Sequence, residues 1–229
     1  FSPFLDSRPG TPAEERFKAV AGLIGYKRDF KNVDLHAFVS PDGIHWKRIT
    51  REPFIAFRPE WYHAFDSQNV AFWSEAEGKY VCYFRTYETP HGRLRAIFRS
   101  DSLDFKNWSE PVDTGSALPG EHLYTNQTHP YFRAPHMYIA LPSRFVAGRI
   151  GAEDAPRHLG TTDILFMSWR AGASAFERLF TEAFIRPGLD PERWANRGNY
   201  VALNVVPTGP AEMSIYHCKS GHRYTLRTD

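Results

Sequence analysis

The sequence predicts an all-β fold, and within that class a β-propeller with about four blades. Apolar residues alternate with a period of two along most of the chain, helical periodicity is almost absent, and a strand-hairpin unit recurs. Only residues 191–194 favour a short turn of helix. We expect one propeller domain over residues 1–229, incomplete at both ends, with units at roughly 1–57, 58–115, 116–190 and 191–229.

A turn containing serine and a large aromatic residue closes three of the units. It occupies residues 40–46, 100–108 and 168–176, and its anchoring aromatics are Trp46, Trp108 and Phe176. These aromatics are 62 and 68 positions apart (108 minus 46; 176 minus 108), a spacing that suits a four-stranded blade. We expect Asp42 and Asp101 to accept backbone N–H groups inside the turn, and Gly43 to supply a positive φ. Such a turn has a structural role.

Each closing turn follows a pair of alternating strands that is typical of a hairpin. The clearest pairs lie at residues 65–85 and 124–141, a fainter one lies at 196–216, and residues 4–20 form a further copy.

Composition excludes several classes of protein. The net charge is +2 without a dense run of Lys and Arg, which argues against a nucleic-acid partner. Cys82 and Cys218 give neither a disulfide framework nor a zinc site, and no motif indicates a metal or cofactor. No apolar run approaches the roughly 18 residues of a membrane span. The first residues do not form a signal peptide, and we expect the true N-terminus to lie upstream.

Three runs carry a resemblance to a known superfamily. They are Ala-Phe-Asp-Ser-Gln-Asn at 64–69, Glu-His-Leu-Tyr-Thr-Asn-Gln-Thr at 121–128 and Glu-Ala-Phe-Ile-Arg-Pro-Gly at 182–188. With the Ser-Pro-Asp-Gly-Ile-His-Trp turn, they resemble the five-bladed β-propeller glycoside hydrolases of the arabinanase, β-xylosidase and invertase-like groups. The most similar group is an uncharacterised bacterial subfamily. The resemblance covers essentially the whole chain and implies degradation of a poly- or oligosaccharide in the periplasm or outside the cell.

The resemblance also implies which acids are catalytic. In the superfamily, acids from successive blades meet in a central pocket, where one carboxyl is ionised and another protonated. Asp66 opens an inner strand and matches the base or nucleophile, and Asp6 occupies the corresponding place one blade earlier. Glu121 and Glu212 are alternatives for the acid. Each of these carboxylates is also compatible with a strand end or a solvated loop.

The third inner strand departs from the superfamily pattern. It carries Thr125, Asn126 and His129 instead of a carboxylate, and the Asp-Pro dipeptide of the arabinanase group is absent, so His129 is an alternative proton donor. Arginines near the pocket either pair with acids between blades or bind an anionic sugar; they are Arg85, Arg133 and Arg144. The predicted substrate-binding residues are Gln68, Asn69, Arg85, Asn126, His129 and Arg144.

Three functions remain open from the sequence. The first is hydrolysis of a glycoside by paired carboxylates, the second is carbohydrate binding without catalysis, and the third is phosphorolysis. A separation of about 5 to 9.5 Å between Asp66 and a glutamate carboxyl would favour hydrolysis. The expected partners are a carbohydrate and further segments of the same protein that complete the propeller, with no nucleic acid and no membrane.

Overall fold

The structure, a computed structural model, describes residues 1–24, 33–61, 63–66, 68–87, 89–147, 161–187 and 199–218. These residues form sixteen β-strands and one short 3₁₀ helix (Ala13–Glu15). The predicted all-β class is therefore confirmed. The helical turn expected at residues 191–194 lies outside the described residues. No described helix has the length and apolar character needed to cross a membrane.

The first two blades are four-stranded antiparallel sheets whose strands follow chain order. The first consists of β1 (Ser2–Leu5), β2 (Phe17–Ile24), β3 (Val33–Ser40) and β4 (Lys47–Arg48). The second consists of β5 (Val70–Ser74), β6 (Lys79–Thr86), β7 (Ala96–Ser102) and β8 (Val112–Asp113). In each sheet consecutive strands are neighbours, which is the meander of a propeller blade.

The third unit contains an insertion that the repeat did not predict. Its blade is built from β10 (His129–Tyr131), β11 (Ala134–Ala140) and β14 (Met167–Arg170), and a single bridge from Ser168 to Glu177 stands where the fourth strand would be. A second sheet interrupts this blade. It consists of β9 (His122–Leu123), β12 (Ser143–Val146) and β13 (Thr161–Ile164), and β12 lies between the other two strands.

The described strands of the fourth unit form one hairpin. It consists of β15 (Val206–Gly209) and β16 (Glu212–Ser214), which pair antiparallel. An isolated bridge between Val201 and His217 extends the pair beyond the two strands.

Strand β6 connects two hydrophobic cores because both of its faces are covered. Tyr80, Cys82 and Phe84 pack into the core shared with the first blade, whereas Val81 and Tyr83 pack into the core shared with the third. All five side chains are fully buried. A strand covered on both faces carries a continuous apolar run instead of an alternating one, which explains the run of five apolar residues. Burial of each large side chain stabilises the fold by roughly 1.5–3 kcal/mol.

The closing turns of the first two blades share one hydrogen-bond pattern. In the first, Ser40 Oγ accepts the amide of Gly43, and Asp42 Oδ1 accepts the amides of Ile44 and His45, each of these two at 2.8 Å. Gly43 has the predicted positive φ, 76°. The first turn therefore has the structure that we predicted.

The prediction for the second turn was wrong by three positions. Asp104, not Asp101, accepts the amides of Lys106 and Asn107, at 2.8 and 2.7 Å. Asp101 lies in β7, and its Oδ2 accepts from Lys79 Nζ at 2.8 Å. The serine that begins the turn is Ser102, and the second sequence contains two serines two positions apart, which made the register ambiguous.

The acidic side chain of the second turn gives the first prediction. Burial tends to raise the pKa of Asp104, but hydrogen bonds from Asn107 and Lys106 outweigh it and lower the pKa to about 2. Because the folded pKa is lowered, the charged form stabilises the fold above about pH 4, and this contribution is lost as pH falls towards 2. We expect Asp104→Ala to reduce the free energy of unfolding at neutral pH by about 1 kcal/mol.

The measurement is urea unfolding of both proteins between pH 7 and pH 2. The difference between wild type and Asp104→Ala should shrink as the pH falls from 4 to 2. Glu75→Ala, which removes an exposed carboxyl from the β5–β6 turn, is the control. An equal loss of stability in both variants would show that the turn hydrogen bonds do not matter.

Candidate functional site

The first strands of the four hairpins are β1, β5, β10 and β15, which the resemblance places nearest the propeller axis, and they define two ends of the blades. We call the end where these strands begin the entry end, and the end where they turn into the second strand the hairpin end. Because every first pair is antiparallel, the end of the second strand returns to the entry end. The predicted site residues divide between these two ends.

Asp66 lies at the entry end of the second blade, four residues before β5 (70 minus 66). The turn that carries it contains two left-handed residues, His63 at φ 57° and Phe65 at φ 61°. The amide of Phe65 donates to the carbonyl of Arg85 at 3.0 Å, and Asn69 Nδ2 donates to the carbonyl of Phe65 at 3.0 Å. The turn is therefore held from both β6 and the start of β5.

The guanidinium of Arg85 is the direct partner of Asp66. Its Nη2 donates to Asp66 Oδ2 at 2.7 Å and to the carbonyl of His63 at 2.9 Å. The Arg85 side chain is 2% exposed, whereas the Asp66 side chain is 48% exposed. Within the described part of the chain, Arg85 Nε and Nη1 have no hydrogen-bond partner. The pair thus joins a buried cation to a carboxylate that faces solvent.

The ring of Tyr124 packs against Arg85, and a second arginine and a second tyrosine continue this group; the sequence analysis missed them. The Tyr124 ring lies 5.1 Å from Arg85 Cζ and 4.6 Å from Arg95 Cζ. Arg95 also lies over the ring of Tyr87, at 4.9 Å, and its amide donates to His122 Nδ1. Tyr87 follows β6 and Tyr124 precedes β10, so their positions at the entry end, where Asp66 also lies, were the available signal.

Glu121 belongs to a network of ion pairs at the entry end. Its Oε1 accepts from Arg144 Nη1 at 2.8 Å, and its Oε2 accepts from Arg178 Nη2 at 2.7 Å. Arg144 in turn makes a bidentate pair with Asp163, with both distances 2.8 Å. Both carboxylate oxygens of Glu121 accept from guanidinium donors. The arrangement fits a structural role for Glu121 and Arg144.

His129 is also fully engaged, which argues against its role as a proton donor or substrate ligand. The ring nitrogen Nδ1 lies 2.7 Å from the carbonyl of Gln127, and Nε2 accepts the amide of Val205 at 2.9 Å. Burial lowers the pKa of His129, and its hydrogen bond to Gln127 opposes this only in part. A neutral ring that donates from Nδ1 and accepts at Nε2 connects the third and fourth units.

Amide side chains connect the loops before β5 and β10. Asn126 Nδ2 donates to the carbonyl of Gln68 at 3.2 Å, and Asn126 Oδ1 accepts the amide of Thr128. In the described structure, Gln68 Oε1 and Asn69 Oδ1 are buried without a hydrogen-bond partner. Asn126 therefore has a structural role, and Gln68 and Asn69, which follow Asp66 in the chain, keep buried amide oxygens without a partner.

Asp6 lies at the hairpin end, which corrects the expectation that it matches Asp66. It directly follows β1, whereas Asp66 precedes β5. Its buried Oδ2 accepts from Lys18 Nζ at 2.8 Å and from the Tyr80 hydroxyl at 2.7 Å. Burial and this hydrogen bond raise the pKa of Tyr80. Asp6 therefore joins the first and second blades.

Glu212 lies at the hairpin end too. It begins β16 and is exposed next to the turn that follows β15. Asp66 precedes its inner strand, whereas Glu212 follows one, so the two are at opposite ends of the blades. The structure does not bring Glu212 and Asp66 together. Among the described residues, no group of three His, Cys, Asp or Glu side chains is placed to hold a metal ion.

Solved structures share this fold. The α-L-arabinanase of Penicillium chrysogenum, complexed with arabinobiose, aligns with 94% of this chain and 57% of its own, at 13% identity and a TM-score of 0.56. A GH93 α-L-arabinofuranosidase of Fusarium graminearum, also with arabinobiose, aligns with 87% of this chain and 52% of its own, at 12% identity and a TM-score of 0.53.

A third similar structure has a different activity. It is an N-acetylgalactosamine deacetylase from F. plautii in complex with blood group B trisaccharide, and 78% of this chain aligns with 52% of that one, at 13% identity and a TM-score of 0.53. The chain thus spans a little over half the length of these structures. No protein-family model and no curated protein sequence matches it. The fold is that of the propeller glycoside hydrolases, which confirms the predicted resemblance at the level of the fold.

Substitution of Asp6 gives the second prediction. Asp6→Asn leaves the buried ammonium of Lys18 without its closest anion, so we expect a loss of roughly 3 kcal/mol in the free energy of unfolding. Chemical denaturation of both proteins measures this loss. A variant as stable as the wild type would contradict the structural role of Asp6.

Proposed function

We propose that this protein is a glycoside hydrolase that binds an oligo- or polysaccharide at the entry end, with Asp66 as nucleophile or general base. The observation that carries the proposal is the half-exposed carboxylate of Asp66, held at one oxygen by the buried guanidinium of Arg85. It lies where an inner strand begins, in a fold shared with arabinan-degrading enzymes.

The charge of the pair suits this role. A nucleophile or base in glycoside hydrolysis must be ionised, and the acid that assists the leaving group must carry a proton. The guanidinium of Arg85, at 2.7 Å, stabilises a negative charge on Asp66. Asp66 is therefore suited to be the nucleophile or base and unsuited to be the acid.

The surroundings suit a sugar. Tyr87 and Tyr124 are partly exposed aromatic side chains of the kind that contact the apolar faces of sugars. The structures with the same fold hold arabinobiose or a blood group trisaccharide. These observations support a carbohydrate ligand for this chain as well.

The predicted candidates for the general acid all have other contacts or lie away from Asp66. Glu121 is bonded at both oxygens, Glu212 is at the hairpin end, and both ring nitrogens of His129 are engaged. This observation favours a second function, carbohydrate binding without catalysis. Phosphorolysis has less support, since Arg144 and Arg178 already bind Glu121.

Substitution of the proposed nucleophile gives the third prediction. Asp66→Asn keeps the volume and the acceptor for Arg85 but removes the charge, so we expect kcat to fall about a hundredfold or more. The melting temperature should change little, because Asp66 is half-exposed. The assay uses a panel of 4-nitrophenyl glycosides and arabino-oligosaccharides, with Glu75→Gln at the hairpin end as the control.

The same experiment separates the two functions. Turnover by wild type that Asp66→Asn abolishes supports hydrolysis. Calorimetric binding of oligosaccharides without turnover in either protein supports the binding function. Normal turnover by Asp66→Asn contradicts the assignment of Asp66.

A further inference from the structure

We propose that Arg85 is a positioning residue that fixes Oδ2 of Asp66 and leaves Oδ1 as the oxygen that reacts with the substrate. The inference rests on the proposed function, because Asp66 has a reacting oxygen only if the site is catalytic. It assigns different roles to the two oxygens of one carboxylate.

Arg85 holds the turn before β5 through three contacts. Its Nη2 donates to the carbonyl of His63 and to Asp66 Oδ2, and its own carbonyl accepts the amide of Phe65. The turn needs such support, because the left-handed region is an unfavourable backbone conformation for a non-glycine residue. His63 and Phe65 both adopt that conformation. Arg85 thus compensates for the strain of the turn that presents Asp66.

The anchor itself is rigid. Arg85 lies near the end of β6, which pairs with β5 on one side and with β7 on the other. Its side chain is nearly inaccessible, and the ring of Tyr124 covers it at 5.1 Å. A buried arginine on a central strand loses little further freedom when it binds Asp66. Catalytic groups held in this way keep a reactive geometry.

The two oxygens of Asp66 have different surroundings. Oδ2 is bound to Nη2 of Arg85, whereas Oδ1 has no hydrogen-bond partner among the described residues. The side chain is 48% exposed, so the unbound oxygen belongs to a carboxylate that solvent reaches. Attack by Oδ1, or its acceptance of a proton, leaves the contact between Oδ2 and Arg85 intact. Arg85 therefore acts on the reaction through Asp66 and not through the substrate.

Two variants of Arg85 test this role, and they give the fourth prediction. Arg85→Ala should lower kcat about a hundredfold and leave KM within about threefold, because misplacement of a catalytic group by about 1 Å has an effect of that size. Arg85→Lys keeps the charge but not the planar fork, so it should recover part of the loss. Guanidinium ion at millimolar concentration should restore part of the activity of Arg85→Ala. Arg170→Ala, at an exposed arginine that ends β14, is the control.

A thermal double-mutant cycle tests the contact without a substrate. The proteins are wild type, Arg85→Ala, Asp66→Ala and the double variant. We expect Asp66→Ala to lower the melting temperature by a few degrees in the wild-type background, and to have no further effect once Arg85 is removed.

The outcomes separate this inference from the proposed function. Additive melting shifts, or Arg85 variants that lose activity only in proportion to folded protein and do not respond to guanidinium, overturn the positioning role even when Asp66 is catalytic. Coupled melting shifts with guanidinium rescue support it. If the melting shifts are coupled but the wild-type protein cleaves no glycoside, the proposed function is overturned, and with it the assignment of a reacting oxygen.

Discussion

The burial of β6 on both faces is the constraint on which the rest of the structure depends. Alternate side chains of this strand belong to different cores, so β6 fixes the second blade against the first and the third at once. Its two ends also carry polar anchors. Tyr80 at the hairpin end donates to Asp6 of the first blade, and Arg85 at the entry end donates to Asp66. The apolar core thereby sets the positions of polar groups on both sides of the molecule.

The fold was largely predictable because its signals are local in sequence. Period-two patterning and the serine-aspartate turns depend on residues within a few positions of one another, and they predicted the hairpins and the class. The second turn shows the limit of such signals. Two serines and two aspartates permit two registers there, and the choice of Asp104 over Asp101 depends on how β7 pairs with β6, where Asp101 binds Lys79. The inserted sheet β13-β12-β9 gave no repeat signal.

The site was less predictable, since its contacts join residues far apart in the chain. Asp66 was identified from its place before an inner strand, but nothing local shows that Arg85, 19 positions later, holds it. Asp6 has a similar sequence setting and lies after its strand instead of before it. Arg144 and Glu121 are separated by 23 positions, and only the pairing of β12 with β9 brings them together. Composition alone does not distinguish a catalytic carboxylate from one in an ion pair.

Acidic residues make different kinds of contact at the two ends of the blades. At the hairpin end, Asp6 and Glu77 are buried and accept from tyrosines of the next blade, so their charges serve contacts between blades. At the entry end, Asp66 is half-exposed, and only its Oδ2 is bonded among the described residues. A buried pair that uses all its acceptors gains rigidity, whereas a carboxylate with an unbonded oxygen can still accept from another group. By this criterion Asp66 differs from Asp6, Glu121 and Asp163, although all four lie next to a cation.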